Sequence, residues 1–368
     1  MIGCIHRGAK GGAVAGKRIV LFGWADSVHI QRWATGLSNR GFRIKLISLG
    51  RKPVADVETV IIPRTGRHSY VTQAARAAKE ARSFEPDLVH AHYVTGYGLW
   101  AWRTAFEPTV VSAWGSDVVE AESSILRKLL ARKVFRRADH VTVPSRFLWE
   151  KVLDLAPGTE SRMSLVPFGV SIPDRVDDLP SAGPTRICFF KALMRRYGPD
   201  ILLKALAKAR ESVPDIQLSI AGRGEMEADL RQMTVELGLD NNVRFVGFVD
   251  NREIYSFIAA HHFTVMPSLE ESFGVAAVES AACARAVLAT RVGGIPEVVL
   301  DGETGLLVPS GDVDALAKAI VRLSTDRELC RKLGDNGRER AKRQFDWEQS
   351  LDLMAELYLR LIDETKNG

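Results

Sequence analysis

The sequence predicts an α/β protein made of two doubly wound, Rossmann-like parallel-sheet domains facing a central cleft. Apolar runs of strand length recur along the chain without the alternation of a half-exposed strand, and helical segments separate them. Two such series flank Pro- and Asp-rich text from Ser171 to Pro184 that has little apolar content. At 368 residues the chain is also too long for one ordinary core.

The first series opens with Lys17-Arg18-Ile19-Val20-Leu21-Phe22-Gly23, a short apolar strand ending in Gly. Ser27 to Arg40 reads as a helix, with Gly41 in the position that ends helices. Strands follow at 42–49 and 57–62, then a helix from Tyr70 to Phe84. Pro86 to His92, Thr109 to Trp114 and His140 to Ser145 are strands with polar residues at their C-terminal ends. Leu165 to Val170 is a strand and turn. The second series places strands at 186–190, 216–221, 243–246, 263–266, 286–290 and 305–308, with helices between them. A long helix from Trp347 to Thr365 closes the chain. The expected division is a flexible tail over 1–16, a first domain over 17–172, a linker over 173–185, a second domain over 186–345 and a terminal helical segment over 346–368.

Composition narrows the function. A hydrophobic fraction of 46% with 26% charged residues is ordinary globular material. No apolar run approaches the roughly 20 residues of a membrane helix. Cys4, Cys188, Cys283 and Cys330 have no paired spacing, which points to neither zinc nor a disulfide framework and suits a reducing cytoplasm. A net charge of +5 does not by itself imply nucleic acid. The charge is uneven, however. Ile125 to Arg137 is a basic amphipathic helix, suited either to anionic lipid headgroups or to solvent, with its apolar side on the sheet.

Chemistry concentrates in Pro267-Ser268-Leu269-Glu270-Glu271-Ser272-Phe273-Gly274-Val275-Ala276-Ala277-Val278-Glu279-Ser280. Glu271 and Glu279 flank a Gly-containing loop where an Ala-rich helix begins. A helix N-terminus attracts phosphate, and carboxylates accept hydrogen bonds from sugar hydroxyls. Together they describe a nucleotide-sugar pocket. Downstream, Gly293-Gly294-Ile295-Pro296-Glu297 is a turn opening another helix, and Asp301-Gly302 leads into a short strand. No Gly-x-Gly-x-x-Gly follows the first strand, and the nearest approach, Gly222-Arg223-Gly224, lacks the third Gly. No phosphate-binding Gly-x4-Gly-Lys-Ser/Thr occurs. Asp312-Val313-Asp314 reads as a helix start, with Asp312 as its cap, rather than as a metal site.

This succession resembles the family 4 retaining glycosyltransferases, the group 1 enzymes of GT-B architecture, over residues 18 to 360. The family's Glu-x7-Glu pattern falls on Glu271 and Glu279, and its Gly-Gly-X-Pro-Glu turn on Gly293 to Glu297. The resemblance implies a hexosyltransferase with a nucleoside diphosphate sugar as donor substrate, most often a UDP-sugar, and no other cofactor and no metal. It implies that Glu279 holds the ribose and Glu271 the donor hexose, and that Phe273, Gly274 and Val275 present backbone N–H groups. The diphosphate-binding turn falls on Lys191 to Gly198, with Lys191 in the usual Arg place and Arg195 or Arg196 near the usual Lys place. Lys191 and Arg196 are thereby expected among the catalytic groups and Arg195 among those binding the donor.

In the first domain the resemblance brings Gly23 to the diphosphate or acceptor and leaves His29 and Arg32 as residues that either reach the acceptor or cap a polar helix face. Trp114-Gly115-Ser116-Asp117 carries Trp where the family often has His, which makes Asp117 and His92 the acceptor-side catalytic candidates. The C-terminal helix is expected to cross back to the first domain. The implied reaction transfers sugar to a hydroxyl of a saccharide or lipid-linked saccharide with retention, without metal, as in polysaccharide or glycolipid synthesis. The cysteine usage suggests a cytoplasmic location, and the basic helix over 125–137 leaves open peripheral contact at the inner membrane face or a solvated surface. Two alternatives stay open: a nucleotide-sugar 2-epimerase of the same architecture, and an inactive nucleotide-sugar scaffold. Nucleic acid is not an expected partner, for want of a basic patch interleaved with aromatics.

Overall fold

Unalternated apolar runs pair as parallel strands in the computed structural model, which describes residues 14 and 16–367 except 67, 123, 181 and 182. The tail expected over 1–16 lies outside the described residues apart from Val14 and Gly16. There Val14 is buried and the Gly16 N–H donates to the Gly41 carbonyl. The chain forms two compact units, one up to Pro167 together with Gln349 onward, the other Phe168–Glu348.

Among the described residues, the first unit has β1 (Arg18–Phe22), β2 (Arg43–Ser48), β3 (Glu58–Ile61), β4 (Leu88–His92), β5 (Thr109–Ser112), β6 (His140–Val143) and β7 (Met163–Leu165). Their order is β3-β2-β1-β4-β5-β6-β7, all parallel. The order reverses between β1 and β4, and such switch points open a crevice at the strands' carboxyl ends. Strands β4, β5 and β6 are buried at every position, which explains the missing alternation.

The helix expected from Tyr70 to Phe84 is two pieces, Ser69–Thr72 and Ala74–Arg82. In a continuous helix the Tyr70 carbonyl would accept from the Ala74 N–H. Here it accepts from Trp100 Nε1 at 2.7 Å, and the ladder is interrupted. The last helix, Trp347–Asn367, packs on this unit through its later residues. Leu351 fills the space over Gly36, where a Cβ would stand 2.7 Å from Leu351 Cδ1. Arg40 pairs with Asp352 at 2.8 Å, and the Tyr358 hydroxyl is hydrogen-bonded to His90 Nδ1.

The second unit has β8 (Arg186–Phe190), β9 (Gln217–Ala221), β10 (Val243–Gly247), β11 (Phe263–Met266), β12 (Ala286–Thr290) and β13 (Gly305–Val308), in the order β10-β9-β8-β11-β12-β13. Here the order reverses between β8 and β11. Ile187, Phe189, Phe263, Val265 and Leu288 form the centre of its core. The segment expected as a linker belongs to this unit, and Arg285 is why. Its guanidinium is 1% exposed and donates to the carbonyls of Asp177 and Asp178, besides those of Ala259, His261 and Cys283. Leu179 is buried in the core beside it.

Candidate functional site

In the second unit the loops after β8, β9, β11 and β12 interlock backbone to backbone. Gly198 has φ +64°, and a Cβ there would stand 2.1 Å from the Pro267 carbonyl oxygen. The Leu269 N–H donates to the Arg196 carbonyl at 2.8 Å, so the turn after β8 lies along the loop after β11. A Cβ on Gly222 would stand 2.1 Å from the Lys191 carbonyl oxygen, and one on Gly224 2.3 Å from that of Leu193. The Gly294 N–H donates to the Glu271 carbonyl at 3.1 Å, and its missing side chain leaves room for the Ser272 carbonyl.

These contacts set the side chains. The Lys191 ammonium pairs with the Glu271 carboxylate, and both side chains are largely buried. The same ammonium lies 4.3 Å from the centroid of the Tyr197 ring, over which Arg196 also sits. Arg195 and Arg196 are exposed, with no acidic partner among the described residues. Gly274, at φ +99°, precedes the helix Val275–Ala282. The first N–H groups of such a helix have no intrahelical acceptor. The Phe273 ring points into the core against Phe168 and Phe345, leaving only its backbone for a ligand. Glu279 is half-buried, one turn beyond Val275 on the same helix. The structure therefore brings Lys191, Arg195, Arg196, Glu271 and the 273–275 backbone to one switch point.

Gly222 and Gly224 were missed as site residues, because they read as an incomplete dinucleotide fingerprint. Their signal is two glycines directly after a strand, where another backbone must approach closely.

The first unit's switch point holds Gly23 and His92. Gly23 makes room for Ile30, whose Cδ1 would lie 2.5 Å from a Cβ there. That fixes the following helix, Val28–Asn39, close to β1. His92 ends β4 and is buried against Trp33, Trp114 and His90. Neither ring nitrogen has a hydrogen-bond partner among the described residues, and burial lowers its pKa to about 3. His90 is bonded on both sides, to Tyr358 and to Ser112 at 2.7 Å. His29 sits edge-on to Trp114, and burial together with Arg32 lowers its pKa to about 4.

Asp117, expected on the acceptor side, is instead committed to the turn. One carboxylate oxygen accepts the N–H groups of Trp114 and Gly115, and the other that of Val94 at 2.8 Å. Asp117 is 1% exposed, so it positions Trp114 rather than meeting solvent.

The buried neutral state of His92 has a pH signature. Its folded pKa lies below the ordinary value of about 6.5, so its stabilising contribution is full above that value and is lost as pH falls below it. Relative to His92→Gln, the natural protein should lose about 1 kcal/mol of unfolding free energy from about pH 7 to about pH 5.5. Denaturant titrations of both proteins test this, and parallel pH curves would show His92 to be solvated.

The description "Glycosyl transferases group 1" matches residues 173–340, and "Glycosyl transferase 4-like" matches 18–145. The GDP-mannose-dependent alpha-(1-6)-phosphatidylinositol monomannoside mannosyltransferase of Mycolicibacterium smegmatis is 31% identical over 279 residues, 71% of this chain and 72% of that one. The chain belongs to the group 1, family 4-like glycosyltransferases. A second relative of this glycosyltransferase, the D-inositol 3-phosphate glycosyltransferase of Corynebacterium glutamicum, is 27% identical and covers 90% of each chain. In fold, the glycosyltransferase matches the Anabaena protein HepE, solved with UDP and glucose, at a TM-score of 0.78 and 21% identity, over 92% of this chain and 98% of that one. The group 1 glycosyltransferase is thus an enzyme of hexosyl transfer with the two-Rossmann GT-B fold. Among its described residues, no helix is long and apolar enough to cross a membrane.

Proposed function

We propose that this glycosyltransferase moves a hexose from a nucleoside diphosphate sugar, with UDP as carrier, to a hydroxyl of a saccharide or lipid-linked saccharide, with retention of configuration. The observation that carries the reading is the Lys191–Glu271 pair at the second unit's switch point, beside two guanidinium groups without an acidic partner among the described residues and a helix N-terminus. An anion is favoured there by charge and by free N–H groups together. Lys191, Arg195 and Arg196 take the diphosphate, and the N–H groups of 273–275 take its oxygens or the sugar's. Glu279 accepts from the ribose hydroxyls and Glu271 from a hexose hydroxyl. HepE's complex with UDP and glucose supports the choice of carrier.

As the bond from the anomeric carbon to the phosphate oxygen breaks, negative charge grows on the diphosphate beside these cations, which stabilise it without reorganising. The acceptor oxygen bonds to the anomeric carbon on the same face, and its proton passes to the departing phosphate oxygen. Side-chain cations carry the charge here, so the reaction is proposed to need no divalent metal. In the first unit His92 and Asp117 act through the Trp114 turn, as positioning residues, and Gly23 sets the loop after β1.

Thermal unfolding with UDP, GDP, ADP and CMP in EDTA tests the reading. UDP at about 100 times its dissociation constant should add about 2.7 kcal/mol. Glu279→Ala should weaken UDP binding roughly tenfold or more through lost charge-assisted hydrogen bonds. No stabilisation by any nucleotide would overturn the proposed donor, and a product of inverted configuration the proposed stereochemistry.

A further inference from the structure

The helix Ile125–Arg137 buries Ala131, Val134 and Phe135 in the first unit's core. At about 100° per residue, Ile125, Leu126 and Leu129 lie on the opposite side. They are 79%, 79% and 50% exposed. Val119, on the preceding helix Ser116–Glu122, is exposed as well. Leu130 packs against the same core, so the apolar content of this helix is divided, and three of its seven apolar side chains face outward.

The helix carries six cationic residues and no acid. Arg127 reaches Glu120, Arg137 reaches Glu107, and Arg132 donates to the Leu155 carbonyl. Lys128, Lys133 and Arg136 are exposed and have no acidic partner among the described residues. Lys133 and Arg136 continue, toward the C-terminus, the same outward stripe that Ile125, Leu126 and Leu129 begin. Single exposed aliphatic residues are ordinary, but three within two turns, rimmed by uncompensated cations, form a patch of the kind that marks a contact surface.

We propose that this face docks on an anionic lipid bilayer surface, with Ile125, Leu126 and Leu129 in the boundary between headgroups and acyl chains and Lys128, Lys133 and Arg136 on lipid phosphates. The pairing of branched aliphatics with unpaired cations decides the partner. A second copy meeting this face symmetrically would bring like charges together. Nucleic acid would answer the cations and leave the aliphatics uncovered. The inference is independent of the donor chemistry and is read without any nucleotide.

The test is co-sedimentation of the full chain with phosphatidylcholine vesicles, with and without phosphatidylglycerol. The natural protein should bind only the anionic vesicles, and less as salt rises. Ile125→Ser/Leu126→Ser/Leu129→Ser should lower partitioning roughly tenfold or more, with unfolding temperature unchanged. Lys128→Ala/Lys133→Ala/Arg136→Ala should lower it roughly a hundredfold, at about fivefold per cation. Equal binding to both vesicle types, or natural binding by the serine variant, would overturn the proposal. So would a solution dimer that the serine variant dissociates while neither protein binds vesicles.

Discussion

Lys191→Ala should lower kcat by about 10²- to 10³-fold. Lys191 follows β8 directly, its carbonyl is packed against Gly222, and its ammonium is held by Glu271 and the Tyr197 ring. A cation held in this way needs no rearrangement as charge develops on the departing diphosphate, and removal of one such preorganised donor costs about 3–4 kcal/mol of transition-state stabilisation. The loss should fall on kcat more than on KM, because the ground-state diphosphate keeps Arg195 and Arg196. Lys191→Arg should recover part of the rate, since it restores the charge with a different reach and a planar fork. Steady-state kinetics on the three proteins decide it. A Lys191→Ala enzyme within threefold of natural kcat would remove Lys191 from the chemical step.

Arg285→Met should destabilise the protein by about 3 kcal/mol or more, and free the backbone around Asp177 to proteolysis. The guanidinium is buried, and five carbonyl oxygens take its N–H groups. Methionine fills similar volume but leaves those acceptors without donors, and each unsatisfied buried group costs about 1–3 kcal/mol where water cannot replace the donor. Lysine should rescue poorly, because one ammonium cannot span acceptors on three segments. Denaturant unfolding and limited proteolysis report the two effects separately. A loss under about 1 kcal/mol would mean that water had taken over the acceptors.

Much of this architecture was legible in the chain. The runs at 186–190, 263–266, 286–290 and 305–308 are strands with those bounds. Strands buried on both faces have no polar side to blur their ends. Gly41 marked the end of the first helix for a similarly local reason, since a left-handed stop at φ +95° is written in the sequence as Gly. What escaped depends on distant partners. Nothing near Tyr70 announces that Trp100 will take its carbonyl. Asp117 had the chemistry of a catalytic acid, and only the fold shows three backbone N–H groups arriving at it. The basic helix was recognised as amphipathic, but periodicity cannot say that Leu130, Ala131, Val134 and Phe135 would find the core and Ile125, Leu126 and Leu129 would not.

The glycines at 198, 222, 224 and 294 have a consequence for how this enzyme can change. Each lets one loop's carbonyl sit where another residue's side chain would be, so the loops cannot be reshaped one at a time. Loops locked together in this way resist separate movement, and a preformed socket would cost a ligand little ordering entropy. Under the proposed donor reading, variation in donor preference would be confined to what projects from a fixed frame, at positions such as Arg195, Glu271 and Glu279. A library built on those side chains would sample new sugars, whereas one built on loop length or on the glycines would mostly sample unfolded chains.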